Sequence, residues 1–196
     1  MCIRDRSSPT INGDTLFIGT YAGELFAVDI KTGEQKWKFN ENEKPIFSSP
    51  VVVDGTIAFT SYDKHIYGLN VADGSIKWKY ETGGEIFSSP SVVGGRVYFG
   101  SNDKQLYVLN FETGDLIWKR DLGGAVFSSP AITDHSIYVG SSDGHLYAVD
   151  RESGEVRWRF LVGNQVKVWT SPTALNGKIY FGSHAGEVIV LKEDEK

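Results

Sequence analysis

The sequence lacks three features that would point to particular classes of protein. It has one cysteine, Cys2, so an intramolecular disulfide cannot hold the fold together. Its net charge is −5, and no basic patch for nucleic acid phosphates is evident. No apolar run approaches the roughly 18 residues of a membrane-spanning helix. The chain is instead rich in glycine (22 of 196 residues) and in aromatic residues (13%), a combination that favours β structure.

The first six residues match no later part of the sequence. They are too short and too strongly charged for a signal peptide. We therefore interpret residues 1–6 as a foreign or unstructured leader, and we expect the true N-terminus, with any export signal, to lie upstream of them.

After this leader, a unit of about 40 residues occurs five times. Each copy carries Ser-Pro, and these prolines stand 40 to 42 residues apart: Pro9, Pro50, Pro90, Pro130 and Pro172. Tryptophan recurs 40 or 41 residues apart, at Trp37, Trp78, Trp118 and Trp158. The repeat predicts a single domain over 7–196. We expect blades at approximately 7–40, 48–81, 88–121 and 128–161, and an incomplete one at 170–192.

Each copy divides into four short strands, here labelled A to D. Strands B and C, such as 96–100 and 106–110, are apolar at nearly every position, as expected of a sheet covered on both faces. Strand D alternates: in Lys36-Trp37-Lys38 the period of two directs tryptophan to one side and the cations to the other. The pattern predicts an all-β protein, a β-propeller of four-stranded blades. About four and a half blades are present, as a partial ring.

The hairpin between strands C and D carries a specific motif. Residues 27–37, Ala-Val-Asp-Ile-Lys-Thr-Gly-Glu-Gln-Lys-Trp, resemble the tryptophan-docking motif of the pyrroloquinoline-quinone-type (quinoprotein-like) β-propeller repeat family. Residues 148–158 repeat the motif with serine for threonine, and 68–78 and 108–118 keep its span with changes. The resemblance covers essentially everything after residue 6.

This resemblance implies a structural role for the repeated tryptophans. In the family, the indole is wedged between neighbouring blades near the next hairpin, whose glycine takes a positive φ. The implied docking residues are Trp37, Trp78, Trp118 and Trp158 with Gly33, Gly74, Gly114 and Gly154.

The same repeats occur in quinoprotein dehydrogenases and in non-catalytic proteins, among them the outer-membrane protein assembly factor propeller lipoproteins. For an enzyme, the resemblance implies a calcium ion held by Glu, Asn and Asp, and often two adjacent cysteines. No adjacent cysteines exist here, and aspartates such as Asp63, Asp103 and Asp143 fall in a repeated turn. We therefore expect no catalytic, metal-binding or cofactor-binding residue. Pyrroloquinoline quinone (PQQ) and calcium would enter only under the enzyme alternative.

Paired serines such as Ser48-Ser49 recur without a histidine at matched spacing. A serine nucleophile needs a base within reach, so we interpret these hydroxyls as local hydrogen-bonding groups at the start of strand A.

An aromatic residue stands just before each later Ser-Ser-Pro or Thr-Ser-Pro element: Phe47, Phe87, Phe127 and Trp169. In a propeller, this crossover from strand D to the next strand A lies on one face near the central channel, together with the B–C loops. These rings could form a partner-binding platform or could fill gaps between blades. Trp169 follows the one longer crossover, 162–168.

Together these observations predict a non-catalytic scaffold for protein or peptide partners, without nucleic acid binding or a transmembrane segment. The resemblance implies the periplasm or cell envelope, and a role in outer-membrane β-barrel protein assembly. The alternatives are a fragment of a PQQ-dependent dehydrogenase and the sensor propeller of a larger envelope or kinase protein. Uncovered terminal blades also predict self-association.

Overall fold

All regular secondary structure in the described residues is β-strand, which confirms the predicted fold class. The computed structural model describes residues 7–163 and 166–193. The predicted leader, 1–6, lies outside the described residues. Within these residues, nineteen strands form four four-stranded sheets and one three-stranded sheet. Within each sheet the strands pair antiparallel in chain order, so each four-stranded sheet is one blade with strands A to D from first to last, and the three-stranded sheet has strands A to C.

The strand bounds repeat from sheet to sheet. The first sheet comprises β1 (Thr10–Asn12), β2 (Thr15–Gly19), β3 (Leu25–Asp29) and β4 (Gln35–Phe39). The second comprises β5 (Val51–Val53), β6 (Thr56–Thr60), β7 (His65–Asn70) and β8 (Ile76–Glu81). The third comprises β9 (Ser91–Val93), β10 (Arg96–Gly100), β11 (Gln105–Asn110) and β12 (Leu116–Asp121). The fourth comprises β13 (Ala131–Ile132), β14 (Ser136–Gly140), β15 (His145–Asp150) and β16 (Val156–Leu161). The fifth comprises β17 (Thr173–Leu175), β18 (Lys178–Gly182) and β19 (Val188–Lys192).

The C–D hairpin is set by its aspartate. Asp29 Oδ1 accepts hydrogen bonds from the backbone N–H groups of Lys31 (2.9 Å) and Thr32 (3.1 Å). These bonds stabilise the carboxylate, and with the Lys36 ammonium they lower the pKa of Asp29 from 3.8 to about 2. Gly33 closes the turn at φ 74°, a conformation that glycine adopts without steric cost. The aspartate and glycine of the motif thus have separate tasks in one turn.

Burial within a blade follows the predicted strand roles. Every residue of β6 and β14 is buried, because strand B is covered on both faces. Strand D is the outermost strand: in β16, Trp158 is half-buried and the other five residues are exposed. Four apolar clusters hold the core, one between each successive pair of sheets.

The A strands lie side by side along the inner edge of the arc. Serine hydroxyls link them: the N–H of Ser49 donates to Ser89 Oγ and that of Ser89 to Ser129 Oγ, both at 2.9 Å. Ser48 Oγ accepts from the N–H of Thr60 (2.9 Å) and donates to its carbonyl oxygen (2.8 Å). The paired serines therefore join strands and blades through hydrogen bonds.

The sheets follow one another in an arc that the described residues do not close. Neighbouring A strands run from β1 through β5, β9 and β13 to β17, and the described residues place no sheet before the first or beyond the fifth. This matches the predicted partial ring. Nowhere in the described part of the chain is there a helix able to cross a membrane.

Candidate functional site

The tryptophans of strand D contact the hairpin of the following blade. Trp37 Nε1 donates to the carbonyl oxygen of Val71 at 2.9 Å. Its ring covers Gly74, where an added Cβ would lie 2.6 Å from Trp37 Cε3. Trp78 repeats the arrangement, with its indole N–H bonded to the Phe111 carbonyl oxygen at 2.9 Å.

The remaining members of the docking set depart from this arrangement. The Trp118 ring covers Gly154, as Trp78 covers Gly114, yet Trp118 Nε1 is buried with no hydrogen-bond partner among the described residues. Trp158 packs against Tyr138, with ring centroids 5.8 Å apart, and no further C–D hairpin follows it in the described residues. No described atom lies within 4 Å of the position that a Cβ on Gly33 would take.

The four crossover aromatics form one continuous line of ring contacts, here called the aromatic row: Phe47, Phe87, Phe127 and Trp169. Phe47 stacks on Phe87 with centroids 5.3 Å apart and planes 5° apart. Phe87 meets Phe127 edge to face at 5.2 Å, and Phe127 meets Trp169 at 5.3 Å. The structure thus brings together residues that are about 40 positions apart in the chain.

Exposure within the row increases towards one end. The three phenylalanines are half-buried, so each partly fills the gap between neighbouring crossovers and partly faces solvent. Trp169 is 41% exposed. The phenylalanines therefore pack against one another and still present an aromatic edge to solvent, and Trp169 presents more of its ring.

Sequence analysis missed a second line of residues beside the row. The second position of the B–C loop carries Tyr21, Tyr62 and His184 in the first, second and fifth blades. Tyr62 contacts Phe47 (6.0 Å) and Phe87 (5.0 Å), Tyr21 contacts Phe47 (6.0 Å), and His184 lies 4.8 Å from Trp169, centroid to centroid. The shared repeat position was the signal that could have revealed them.

Next to Trp169, a small cleft lies between the crossover residues 166–167 and the B–C loop of the fifth blade. The cleft has a volume of about 320 Å³ and is lined by Val166, Lys167, His184 and Ala185. Lys167 Nζ stands 4.9 Å from the centroid of the Trp169 ring, a cation–π contact, and Trp169 Nε1 donates to Ser142 Oγ at 3.0 Å. The exposed end of the row thus combines an indole face, a cation and an imidazole.

The aspartates of the B–C loops are engaged in structural pairs. The hydroxyl of Tyr147 donates to Asp143 Oδ2 at 2.5 Å, and Asp143 Oδ1 accepts from the N–H of His145 at 3.0 Å. Burial has the largest effect on the Tyr147 hydroxyl, and the hydrogen bond to the Asp143 carboxylate has the next largest. Together they raise the pKa of Tyr147 to about 12. Asp63 and Asp103 hold Tyr67 and Tyr107 in the same way.

This donor set does not fit a calcium-bound quinone. Within 7–163 and 166–193, no three His, Cys, Asp or Glu side chains converge on a point where they could hold a metal ion. The loop carboxylates already accept hydrogen bonds from tyrosine hydroxyls and backbone N–H groups.

The blades, the repeated hairpin aspartate and the tryptophans packed on the next hairpin define a quinoprotein-like β-propeller. A family model described as outer membrane protein assembly factor BamB matches residues 4–92 and 82–195. The chain therefore belongs to this family, as the sequence predicted. No curated protein matches the chain.

Solved structures support the fold. BamB from Moraxella catarrhalis superposes with a TM-score of 0.82 at 23% identity, over 96% of this chain and 58% of that one. The computationally designed protein Ika8 gives 0.83 at 17% identity, over 94% and 57%. Quinohemoprotein alcohol dehydrogenase from Comamonas testosteroni gives 0.82 at 15% identity, over 95% and 41%. The chain thus spans between two-fifths and three-fifths of these structures, and at these identities the likeness concerns the fold.

Proposed function

We propose that this chain is a non-catalytic scaffold that binds protein or peptide segments along the aromatic row. The carrying observation is the continuous contact from Phe47 to Trp169, which ends in a 41% exposed indole beside a cleft. Single exposed apolar residues are ordinary, but a contiguous aromatic strip with a polar surround is typical of interaction surfaces.

The chemistry of the row favours an extended segment with apolar or aromatic side chains. Aromatic rings provide a large contact area with little loss of side-chain entropy, and tryptophan is among the residues that most often dominate binding energy. The hydroxyl of Tyr62 and the ring nitrogens of His184 stand beside the row and can bond to a bound backbone. A partner strand could also be added at an exposed sheet edge, which is the other common mode of peptide recognition.

The family supports a proposal for the biological setting. The matching model is described as an outer membrane protein assembly factor, and the Moraxella catarrhalis protein is itself called BamB. We propose the same setting here: the periplasm or cell envelope, with segments of outer-membrane β-barrel proteins or their assembly machinery as partners.

The test uses peptides that each correspond to one strand of an outer-membrane β-barrel protein, immobilised and titrated with the intact chain. Trp169→Ala should weaken binding about thirtyfold or more, because a hot-spot tryptophan contributes about 2 kcal/mol or more. Val156→Ala is the matched control, since Val156 is 39% exposed but lies on the outer strand β16. The proposal fails if no peptide binds, or if both variants bind like the parent chain.

One observation favours a second candidate. The quinohemoprotein alcohol dehydrogenase matches with the same TM-score as BamB. The second candidate is therefore a fragment of a quinone-dependent enzyme. Titrating the intact chain with PQQ and Ca²⁺ and following the quinone absorbance separates the two. A saturable, calcium-dependent spectral change would replace the scaffold proposal, and an unchanged spectrum is expected.

A further inference from the structure

The residue two positions before each member of the aromatic row has a fixed place in the fold. Its carbonyl oxygen accepts a hydrogen bond of 2.9 to 3.2 Å from the backbone N–H of the second residue of a B–C loop. The donor and acceptor pairs are Tyr62 and Pro45, Asn102 and Glu85, Ser142 and Ala125, and His184 and Lys167. Ile86 is fully buried, whereas Glu85 and Phe87 on either side of it are half-buried. Because side chains alternate along an extended chain, Glu85 and Phe87 point to the same side.

The charge at this position differs from one crossover to the next. Pro45 holds it in the first crossover and Ala125 in the third, and neither side chain is charged. Glu85 holds it in the second crossover. Lys167 holds it in the fourth, where its ammonium lies over the Trp169 ring. At this position the row is therefore negative in its middle and positive at its exposed end.

The Glu85 carboxylate is oriented by the B–C loop of the third blade. Asn102 Nδ2 donates to Glu85 Oε2 at 3.2 Å, and Asn102 Oδ1 is buried with no hydrogen-bond partner among the described residues. The amide thus points its N–H at the carboxylate although its own oxygen is left unpaired, which costs stability. The backbone N–H of Glu85 and then the Asn102 amide lower the pKa of Glu85, so the carboxylate is ionised at neutral pH.

Glu85 differs from the aspartates of the neighbouring B–C loops. Asp63, Asp103 and Asp143 each accept a hydrogen bond from a tyrosine hydroxyl and another from a backbone N–H. Glu85 bonds no tyrosine hydroxyl and forms no salt bridge within the part of the chain that the structure describes. Its charge is therefore available to a ligand that lies along the row.

Aromatic rings border this carboxylate. Phe87 stands two residues after it, and the Tyr62 ring contacts Phe87 with centroids 5.0 Å apart. A carboxylate beside aromatic rings suits a lysine or arginine side chain, because the charge meets the carboxylate while the alkyl stem or the guanidinium plane packs on a ring. Lys167 disfavours the same side chain at the other end of the row, since like charges repel.

We propose that the segment bound along the aromatic row carries one lysine or arginine, which pairs with Glu85, between apolar or aromatic side chains. This inference rests on the proposed peptide binding and adds the charge and the register of the segment. An extended segment places every second side chain on the row, so the apolar residues stand two positions before and two positions after the basic one. Charge complementarity then determines which part of the segment lies over Phe87.

The test uses three immobilised synthetic peptides that alternate phenylalanine and threonine. At one central position, in phase with the phenylalanines, they carry arginine, glutamine or glutamate. The intact parent chain should bind the arginine peptide about fivefold more tightly than the glutamine peptide, and the glutamate peptide more weakly than either. Glu85→Gln should bind the arginine and glutamine peptides equally, and Glu85→Lys should bind the glutamate peptide more tightly than the arginine peptide.

Glu112→Lys is the matched control, because it changes the net charge equally at an exposed position of the C–D hairpin, at the opposite end of the strands. It should keep the parent chain's order of affinities, and circular dichroism should show the same β structure in all variants. The inference is overturned if Glu85→Lys keeps that order or if Glu112→Lys reverses it. If the parent chain binds all three peptides equally and Trp169→Ala weakens each of them, the role of Glu85 is wrong while binding along the row stands. If none of the three binds, both proposals are contradicted.

Discussion

The indole N–H of Trp78 donates a 2.9 Å hydrogen bond to the carbonyl oxygen of Phe111, the first residue after strand C of the next blade. Trp37 bonds Val71 in the same way, one blade earlier. For Trp118 of the third blade, the equivalent carbonyl belongs to Arg151 of the fourth blade, and it accepts a hydrogen bond from Arg96 Nη1 at 3.4 Å instead of from the Trp118 indole. One repeat position is therefore used in two ways.

This difference predicts unequal costs for two identical substitutions. Trp78→Phe removes a hydrogen bond and leaves a carbonyl unpaired, whereas Trp118→Phe removes a buried N–H that lacks a partner in the described structure. Trp78→Phe should therefore lower the free energy of unfolding by about 1 kcal/mol more than Trp118→Phe does. Urea unfolding of both variants measures this, and equal losses would contradict the hydrogen-bond assignment.

The glycines of the C–D hairpins allow the cost of tryptophan packing to be separated from the cost of backbone conformation. Gly33 and Gly74 both have φ 74°, but only Gly74 lies under an indole. Gly33→Ala should cost about 1–2 kcal/mol, the usual penalty of the left-handed conformation. Gly74→Ala should cost more, because its Cβ would meet the Trp37 ring at 2.6 Å. Paired denaturant titrations compare them; similar midpoints would show that the ring does not press on the hairpin.

The third blade carries an exchange of residue types between strands B and D. Lys36 donates to Thr15 Oγ1 (2.8 Å), Lys77 to Thr56 Oγ1 (2.7 Å) and Arg157 to Ser136 Oγ (3.5 Å). The third blade has Ile117 at the cation's position and Arg96 at the hydroxyl's position. Arg96 instead reaches Glu152 of the next blade at 2.8 Å, which raises its pKa.

This exchange predicts a specific rescue. Ile117→Lys alone should destabilise the blade, because the new ammonium faces the Arg96 guanidinium. Arg96→Thr alone should cost about 1 kcal/mol or more, because it removes the ion pair with Glu152 and the hydrogen bond to the Arg151 carbonyl oxygen. The double variant restores the pattern of the other blades, so it should be more stable than the two single changes predict together. A double-mutant cycle measures the coupling, and strict additivity would refute the exchange.

The hairpin aspartates predict a loss of stability in acid. The backbone N–H of Ser153 and the Arg157 guanidinium both donate hydrogen bonds to the Asp150 carboxylate. These bonds, that of Ser153 first, lower the pKa of Asp150 from 3.8 to about 2. A lowered folded pKa means that the carboxylate's stabilisation is complete above pH 3.8 and is lost as the pH falls through about 2. Asp150→Asn should therefore unfold more easily than the parent chain at pH 7 and no more easily below pH 2.

Glu155→Gln serves as its control, since Glu155 is exposed in the same hairpin. It should follow the pH dependence of the parent chain. If Asp150→Asn kept its deficit unchanged below pH 2, the carboxylate would not be the source of the stabilisation.

Much of this architecture could be predicted because the signals were periodic. Four short strands, two of them apolar on both faces, recur at a fixed spacing, and a sheet covered on both sides produces that pattern. The roles of the hairpin aspartate and glycine could also be predicted, because both residues lie in one turn of five residues.

The second line of residues beside the aromatic row was not predicted. Tyr62 stands 15 residues after Phe47 and 25 before Phe87 in a loop whose sequence varies from blade to blade. Only the folding of strand B back towards the crossover brings its ring within 5.0 Å of Phe87 and 6.0 Å of Phe47. The sequence also did not predict that the Trp118 indole N–H lacks a hydrogen-bond partner among the described residues. This property depends on the contact between Arg96 of one blade and the Arg151 carbonyl oxygen of the next blade.

By itself, the sequence determined the repeat, the blade, the order of strands and the chemistry of each hairpin, because these depend on contacts within about 40 residues that recur in every copy. The tertiary structure alone decided which rings touch across blades and how exposed the ring of Trp169 is. Those properties depend on the distance and angle between neighbouring sheets, and a repeat pattern specifies that packing partners exist without specifying how closely they approach.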